Sequence, residues 1–114
     1  MKTIDKSIKI QELGELAKKG FGDLVKAVVD VKSKSIVIDV EMHADAEAEL
    51  LRNGSKQDDL WGINLYPELY PDSGWIEFNS MINLRPSQGN RTRGVEDAHL
   101  REAIVQIVNE LVIK

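Results

Sequence analysis

The stretch Ser35-Ile36-Val37-Ile38-Asp39-Val40-Glu41-Met42-His43 decides the fold. Read as an extended chain, it puts Ile36, Ile38, Val40 and Met42 on one side and Val37, Asp39, Glu41 and His43 on the other. Alternation of this kind belongs to a strand in a sheet that is covered on one face only. Just upstream, Asp23 to Lys32 is also dominated by Val and Ala, and Lys32-Ser33-Lys34 supplies a polar tip. The two arms therefore read as a hairpin.

Helical periodicity flanks this hairpin. Ile10, Leu13, Leu16 and Ala17 share one face of a helix from Ile10 to Lys19, with Gly20 as its stop and no capping residue at Lys9. At the other end, Leu100, Ala103, Ile104, Ile107, Val108, Leu111 and Val112 form an unbroken i, i+3, i+4 stripe behind Asp97, a good N-cap. Between them, Asp45 to Arg52 reads as a short helix ending at Asn53-Gly54. Ser55-Lys56-Gln57-Asp58 matches a capping box and predicts another helical turn before Trp61.

Trp61 to Tyr66 reads as a strand with Ile63 and Leu65 inward and Gly62, Asn64 and Tyr66 outward. Pro67 to Gly74 reads as a loop. Trp75 to Arg85 reads as a long strand. Ile76, Phe78, Ile82 and Leu84 point in, Glu77, Asn79, Asn83 and Arg85 point out, and Ser80-Met81 marks a bulge. The simplest assembly is a single α+β domain over residues 1–114. An antiparallel sheet of four to five strands carries the N- and C-terminal helices on one face, as a two-layer structure. The other face then presents Asp39, Glu41, His43, Asn64, Tyr66, Glu77, Asn79, Asn83 and Arg85. Lysine is absent from these outward positions, and Tyr, Met and Arg favour interfaces, so a homodimer across this face is expected. A second layer from the Pro67 to Gly74 loop and the Asp45 to Arg52 helix would cover the same surface within one chain.

Bulk properties bound the function. A chain of 114 residues, 42% hydrophobic and 30% charged, is long enough for one modest core and is not composed like a disordered protein. A net charge of −4 argues against a nucleic-acid or membrane-surface binder. The absence of cysteine excludes a disulfide scaffold, a thiolate zinc site and a cysteine nucleophile, and fits a reducing compartment. The opening Met1-Lys2-Thr3-Ile4-Asp5-Lys6 lacks the apolar run of a signal peptide, and a cytoplasmic location is the expectation. No phosphate-cradling glycine motif or cofactor signature is present, so no cofactor is expected.

Charge is unevenly spread. Glu41 to Asp59 holds six acids against two bases, and Met81 to Gly94 holds Arg85, Arg91 and Arg93 with no acid. Two constellations follow. Asn64, Asn83, Arg85, Gln88, Asn90 and Arg91 combine amides with guanidinium forks that suit carboxylate and phosphate oxygens, and define a candidate site for a small anion or an acidic protein surface. Arg85 and Arg91 are expected close together, near a bound anion or the acids of Glu41 to Asp59. In the alternative, Glu41, His43, Asp45 and Glu47 serve a small metal-dependent hydrolase or nuclease-like enzyme, with His43, Asp45 and Glu47 as catalytic candidates. With one histidine among acids and no thiolate, no resident transition metal is expected.

Glu41-Met42-His43-Ala44-Asp45-Ala46-Glu47, Ser55-Lys56-Gln57-Asp58-Asp59-Leu60-Trp61-Gly62-Ile63-Asn64 and Ile82-Asn83-Leu84-Arg85-Pro86-Ser87-Gln88-Gly89-Asn90-Arg91 together resemble a family of small bacterial and archaeal proteins known only as a domain of unknown function. The resemblance runs from the Phe21-Gly22-Asp23 turn to the last helix. It implies no activity, substrate or catalytic residue.

Overall fold

The computed structural model describes residues 1–114 and confirms an α+β fold. The hairpin forms from β3 (Val25–Asp30) and β4 (Ser35–Ile38), with Asp30 opposite Ser35. Asp30 closes its tip by accepting the backbone N–H groups of Lys32 and Ser33 at 3.0 and 3.1 Å. Burial raises the Asp30 carboxyl. Hydrogen bonds from the Ser55 hydroxyl, Ser33 and Lys32 outweigh that cost and hold it below its ordinary value.

Around the hairpin, β1 (Lys2–Ile4) pairs with β4, β5 (Leu60–Leu65) with β3, and β6 (Ile76–Glu77) with β5. The sheet is antiparallel throughout, in the order β1-β4-β3-β5-β6. The sequence contains no visible signal for two short strands, β2 (Ile8–Lys9) and β7 (Val112–Ile113). They pair in parallel and tie together the start of α1 (Ile10–Lys19) and the end of α3 (Ala98–Leu111).

Both terminal helices lie where periodicity puts them. Asp97 caps α3 by accepting from the His99 and Leu100 N–H groups. Leu13 and Ala17 of α1, and Ile104, Ile107, Val108 and Leu111 of α3, join Val25, Ala27, Val29, Ile36, Ile38, Ile63 and Leu65 in a cluster of 20 buried residues. Burying one such aliphatic side chain contributes about 1.5–3 kcal/mol, so this face supplies most of the driving force.

The second face departs from expectation. β4 stops at Ile38, because Asp39 adopts a left-handed φ of 61° and turns the chain out of the sheet. Glu41 and His43 are therefore not strand residues. The following helix, α2 (His43–Arg52), starts two residues earlier than Asp45 and lies across this face. Its Ala46 and Leu50 pack on Val28, Val37 and Leu60 in a separate cluster of five. The sheet is thus covered on both sides, and the surface on which a homodimer was expected is occupied by the chain's own helix.

The strand expected from Trp75 to Arg85 ends at Glu77. Ser80 instead caps a helical turn at Met81–Asn83 by accepting the Ile82 N–H. Ile82 packs on the smaller cluster, opposite the side taken by Ile76, and Leu84 is exposed. The Ser55 capping box also fails. A helical turn does form at Gln57–Asp59, but without a side-chain cap, because the Ser55 hydroxyl donates to Asp30 Oδ2 at 2.6 Å.

Candidate functional site

Strand register lays out the second face row by row. Val28 stands between Val37 and Gly62, under α2. One row further along, Lys26, Asn64 and Glu77 stand side by side across β3, β5 and β6. Beyond the start of α2 this polar row borders an open cleft of about 220 Å³, lined by Lys26, His43, Asn64, Asn79, Ser80 and Arg93, with Met42, Ala44, Met81 and Ile82. Met42 and Met81 are exposed at its rim.

Gly62 is what lets the cleft wall close. A Cβ at this position would stand 2.5 Å from the Ser80 Cβ and 3.2 Å from the His43 Cδ2. Only glycine admits both side chains onto the strand. On its outer edge Gly62 has no neighbouring strand; there the Asn83 side chain takes its place. Asn83 Oδ1 accepts the Gly62 N–H at 2.8 Å and its Nδ2 donates to the Gly62 carbonyl at 2.9 Å.

Within the cleft, His43 Nε2 lies 2.8 Å from the Ile63 carbonyl. A carbonyl only accepts, so Nε2 carries the hydrogen and Nδ1 is the lone-pair nitrogen of the neutral ring. Burial pushes the imidazole below its ordinary value of 6.5, and Lys26 and Arg93 push it the same way. The Ile63 carbonyl and the Asn64 amide oppose them. Asn64 is only 7% exposed. Its Nδ2 donates to Glu77 Oε1 at 2.8 Å and to the Asn79 carbonyl at 3.3 Å, while its Oδ1 has no partner. Tyr66 also donates to Glu77 Oε1, at 3.1 Å, which fixes that carboxylate. The Lys26 ammonium sits 4.7 Å from the centre of the Phe21 ring, and Arg93 is exposed at the mouth.

The residues singled out from sequence divide sharply. Asn64 lines the cleft. Asn83, Arg85 and Asn90 are buried and engaged by the chain itself. Arg85 donates Nε to the Ile82 carbonyl at 2.9 Å, Nη1 to the Gln57 carbonyl at 2.7 Å, and Nη2 to the Leu60 carbonyl. It stacks 4.5 Å from the Trp61 ring centre and lies 3.7 Å from Glu47 Oε2. The expected meeting of the arginine loop with the acidic segment is therefore real at Arg85, as an internal pair. Asn90 Nδ2 donates to the Asn83, Thr92 and Gly94 carbonyls, and its Oδ1 accepts the Glu96 N–H. Gly89, at φ 79°, makes the turn that lets Arg85 and Asn90 bridge. Gln88 and Arg91 are exposed; Gln88 Oε1 reaches Arg85 Nη1 at 3.4 Å, and the Arg91 backbone N–H donates to Glu96.

The enzyme constellation does not assemble. His43 faces the cleft and Glu47 faces Arg85, while Glu41 and Asp45 are exposed on a separate shallow surface with Asp39 and Arg52. No three His, Asp or Glu side chains group as metal ligands. The sequence reading holds Arg93 within the arginine loop but misses Lys26 as a site residue. A trace of Lys26 was present, since it is the one charge inside the apolar run Leu24-Val25-Lys26-Ala27-Val28-Val29.

Fold and cleft together define a small α+β domain with a cationic cleft where the helical cover of its sheet begins. More particularly, the chain belongs to the family described as a protein of unknown function (DUF5674), which it matches over residues 2–111. No curated protein and no solved structure matches it. No helix is long and apolar enough to cross a membrane.

Proposed function

We propose that the protein is a binding module for a small anion, and that the cleft beside α2 is its site. The observation that carries this reading is the convergence of Lys26 and Arg93 with the start of α2, which no side chain caps, on a cleft walled by buried His43 and Asn64. Helix N-termini present unsatisfied N–H groups and a positive dipole end, and guanidinium adds a bidentate fork for an oxoanion. Of the candidate ligand-binding residues, Asn64 lines the cleft. Asn83, Arg85 and Asn90 hold the loop that delivers Arg93, with Gln88 and Arg91 on its outer surface. A carboxylate on an acidic protein partner is a second form in which the same chemistry reaches the cleft. A cytoplasmic setting fits the cysteine-free chain.

A thermal-shift screen of inorganic phosphate, small carboxylates, nucleotides and divalent metals tests the reading, because a ligand that binds only the folded state raises the melting temperature. An anion is expected to stabilise the native protein, to lose that effect in Arg93→Ala, and to keep it in Arg91→Ala. Equal stabilisation of all three proteins would place the anion elsewhere, and stabilisation by a metal alone would favour the enzyme alternative.

A further inference from the structure

We propose that the anion taken by this cleft carries its own hydrogen-bond donor, as hydrogenphosphate or an α-hydroxy carboxylate does. The inference rests on the anion reading above and narrows it. The cleft holds two kinds of group that a bare anion cannot satisfy together. Lys26, Arg93 and the first N–H groups of α2 are donors and call for negative oxygen. His43 supplies an acceptor. The bond from His43 Nε2 to the Ile63 carbonyl commits the ring hydrogen, which leaves Nδ1 with a lone pair. Asn64 Nδ2 is committed to Glu77 Oε1 and the Asn79 carbonyl, so the amide offers the cleft no free donor, and its Oδ1 is enclosed beyond a ligand's reach. His43 is 9% exposed, so this acceptor is not freely compensated by bulk water.

A buried acceptor left unpaired costs more than an ordinary hydrogen bond gains. An oxoanion without a hydrogen brings its own lone pairs against the His43 nitrogen. One that bears a hydroxyl pairs its charged oxygens with the cations and its O–H with an acceptor. Sites built around a required polar hydrogen reject analogues lacking it far more strongly than apolar sites reject a missing methylene. At about 220 Å³ the cleft suits a ligand of a few heavy atoms, below the size range of drug-like pockets.

Two matched pairs isolate the donor: hydrogenphosphate against sulfate, and glycolate against acetate. Each is titrated into the full-length protein at pH 7.5 and constant ionic strength, with binding followed by calorimetry and by the ¹⁵N resonance of His43 Nδ1. In at least one pair the donor-bearing ion is expected to bind about tenfold more tightly, the equivalent of one net hydrogen bond, and to shift Nδ1 while its partner does not. The pair that discriminates identifies the source of the ligand. Equal affinities within both pairs would overturn this inference and leave the anion site standing. Failure of all four ions to bind would remove the anion reading as well.

Discussion

The two faces of the sheet are built on different principles. The face under α1 and α3 joins a cluster of 20 buried residues, all apolar. The face under α2 has an apolar cluster of five, and around it the fold buries His43, Asn64, Asn83, Arg85 and Asn90. The first face is held by area and volume, which tolerate exchange of one aliphatic shape for another. The second is held by directional bonds, most of them from Asn and Arg side chains to backbone carbonyls. A polar network of this kind leaves acceptors and cations at its margin, and the cleft lies at that margin.

The contrast is most exposed at Arg85. Arg85→Ala removes a buried guanidinium from three carbonyls and from Glu47, and is expected to cost about 3–5 kcal/mol in chemical denaturation. Arg91→Ala, on the exposed side of the same loop, is expected to stay within about 0.5 kcal/mol. Equal effects at the two positions would mean that the network is not what holds this face.

Conservative substitutions sharpen the comparison. Asn83→Asp preserves shape but sets a carboxylate against the Gly62 and Arg93 carbonyls where an amide had donated, and about 2–3 kcal/mol is expected to be lost. Ile104→Val, equally conservative under the opposite face, is expected to cost about 0.5–1.5 kcal/mol. Urea denaturation of the two variants side by side decides this, and a reversal of their order would contradict the division between the two faces. Gly62→Ala tests closeness directly. The added methyl meets Ser80 and His43, and a loss of about 1–3 kcal/mol is expected, partly recovered by Ser80→Gly in a double-mutant cycle.

The smallest effect is a pH dependence confined to the polar face. His43 titrates below its unfolded value of 6.5, chiefly through burial, with Lys26 and Arg93 facing it. The unfolded chain therefore takes up a proton more readily than the folded one as pH falls below 6.5. The contribution of neutral His43 is fully present above that pH and is lost as the pH drops toward the folded value. Urea midpoints at pH 7.5 and 5.5 are expected to differ less in His43→Gln than in the native protein. An unchanged difference would assign the pH dependence to other groups.

On the apolar face, much of the structure was legible in advance. The helix Ile10 to Lys19, the stripe behind Asp97 and the inward side of the hairpin all follow from periods of 3.6 and 2. The same signals misled on the other face. Val40 and Met42 continue the alternation of β4 past the point where Asp39 turns left-handed, so local pattern extended a strand that backbone conformation ends. Ile82 and Leu84 likewise mimic strand alternation in a segment where the Asn83 side chain, not the backbone, completes the sheet.

The sequence alone determined the α+β class, the two terminal helices, the hairpin and the concentration of arginine and amides in one loop, because each is a property of near neighbours along the chain. Only the tertiary structure decided which of those polar groups are used internally and which face a cleft. Arg85 bonds to Gln57 and Leu60, 28 and 25 residues away, and Asn83 to Gly62, 21 away. Lys26 meets Asn64 only through strand register. Hydrogen bonds are short-ranged and directional, so their partners are set by where distant segments cross, which no periodicity in the chain records.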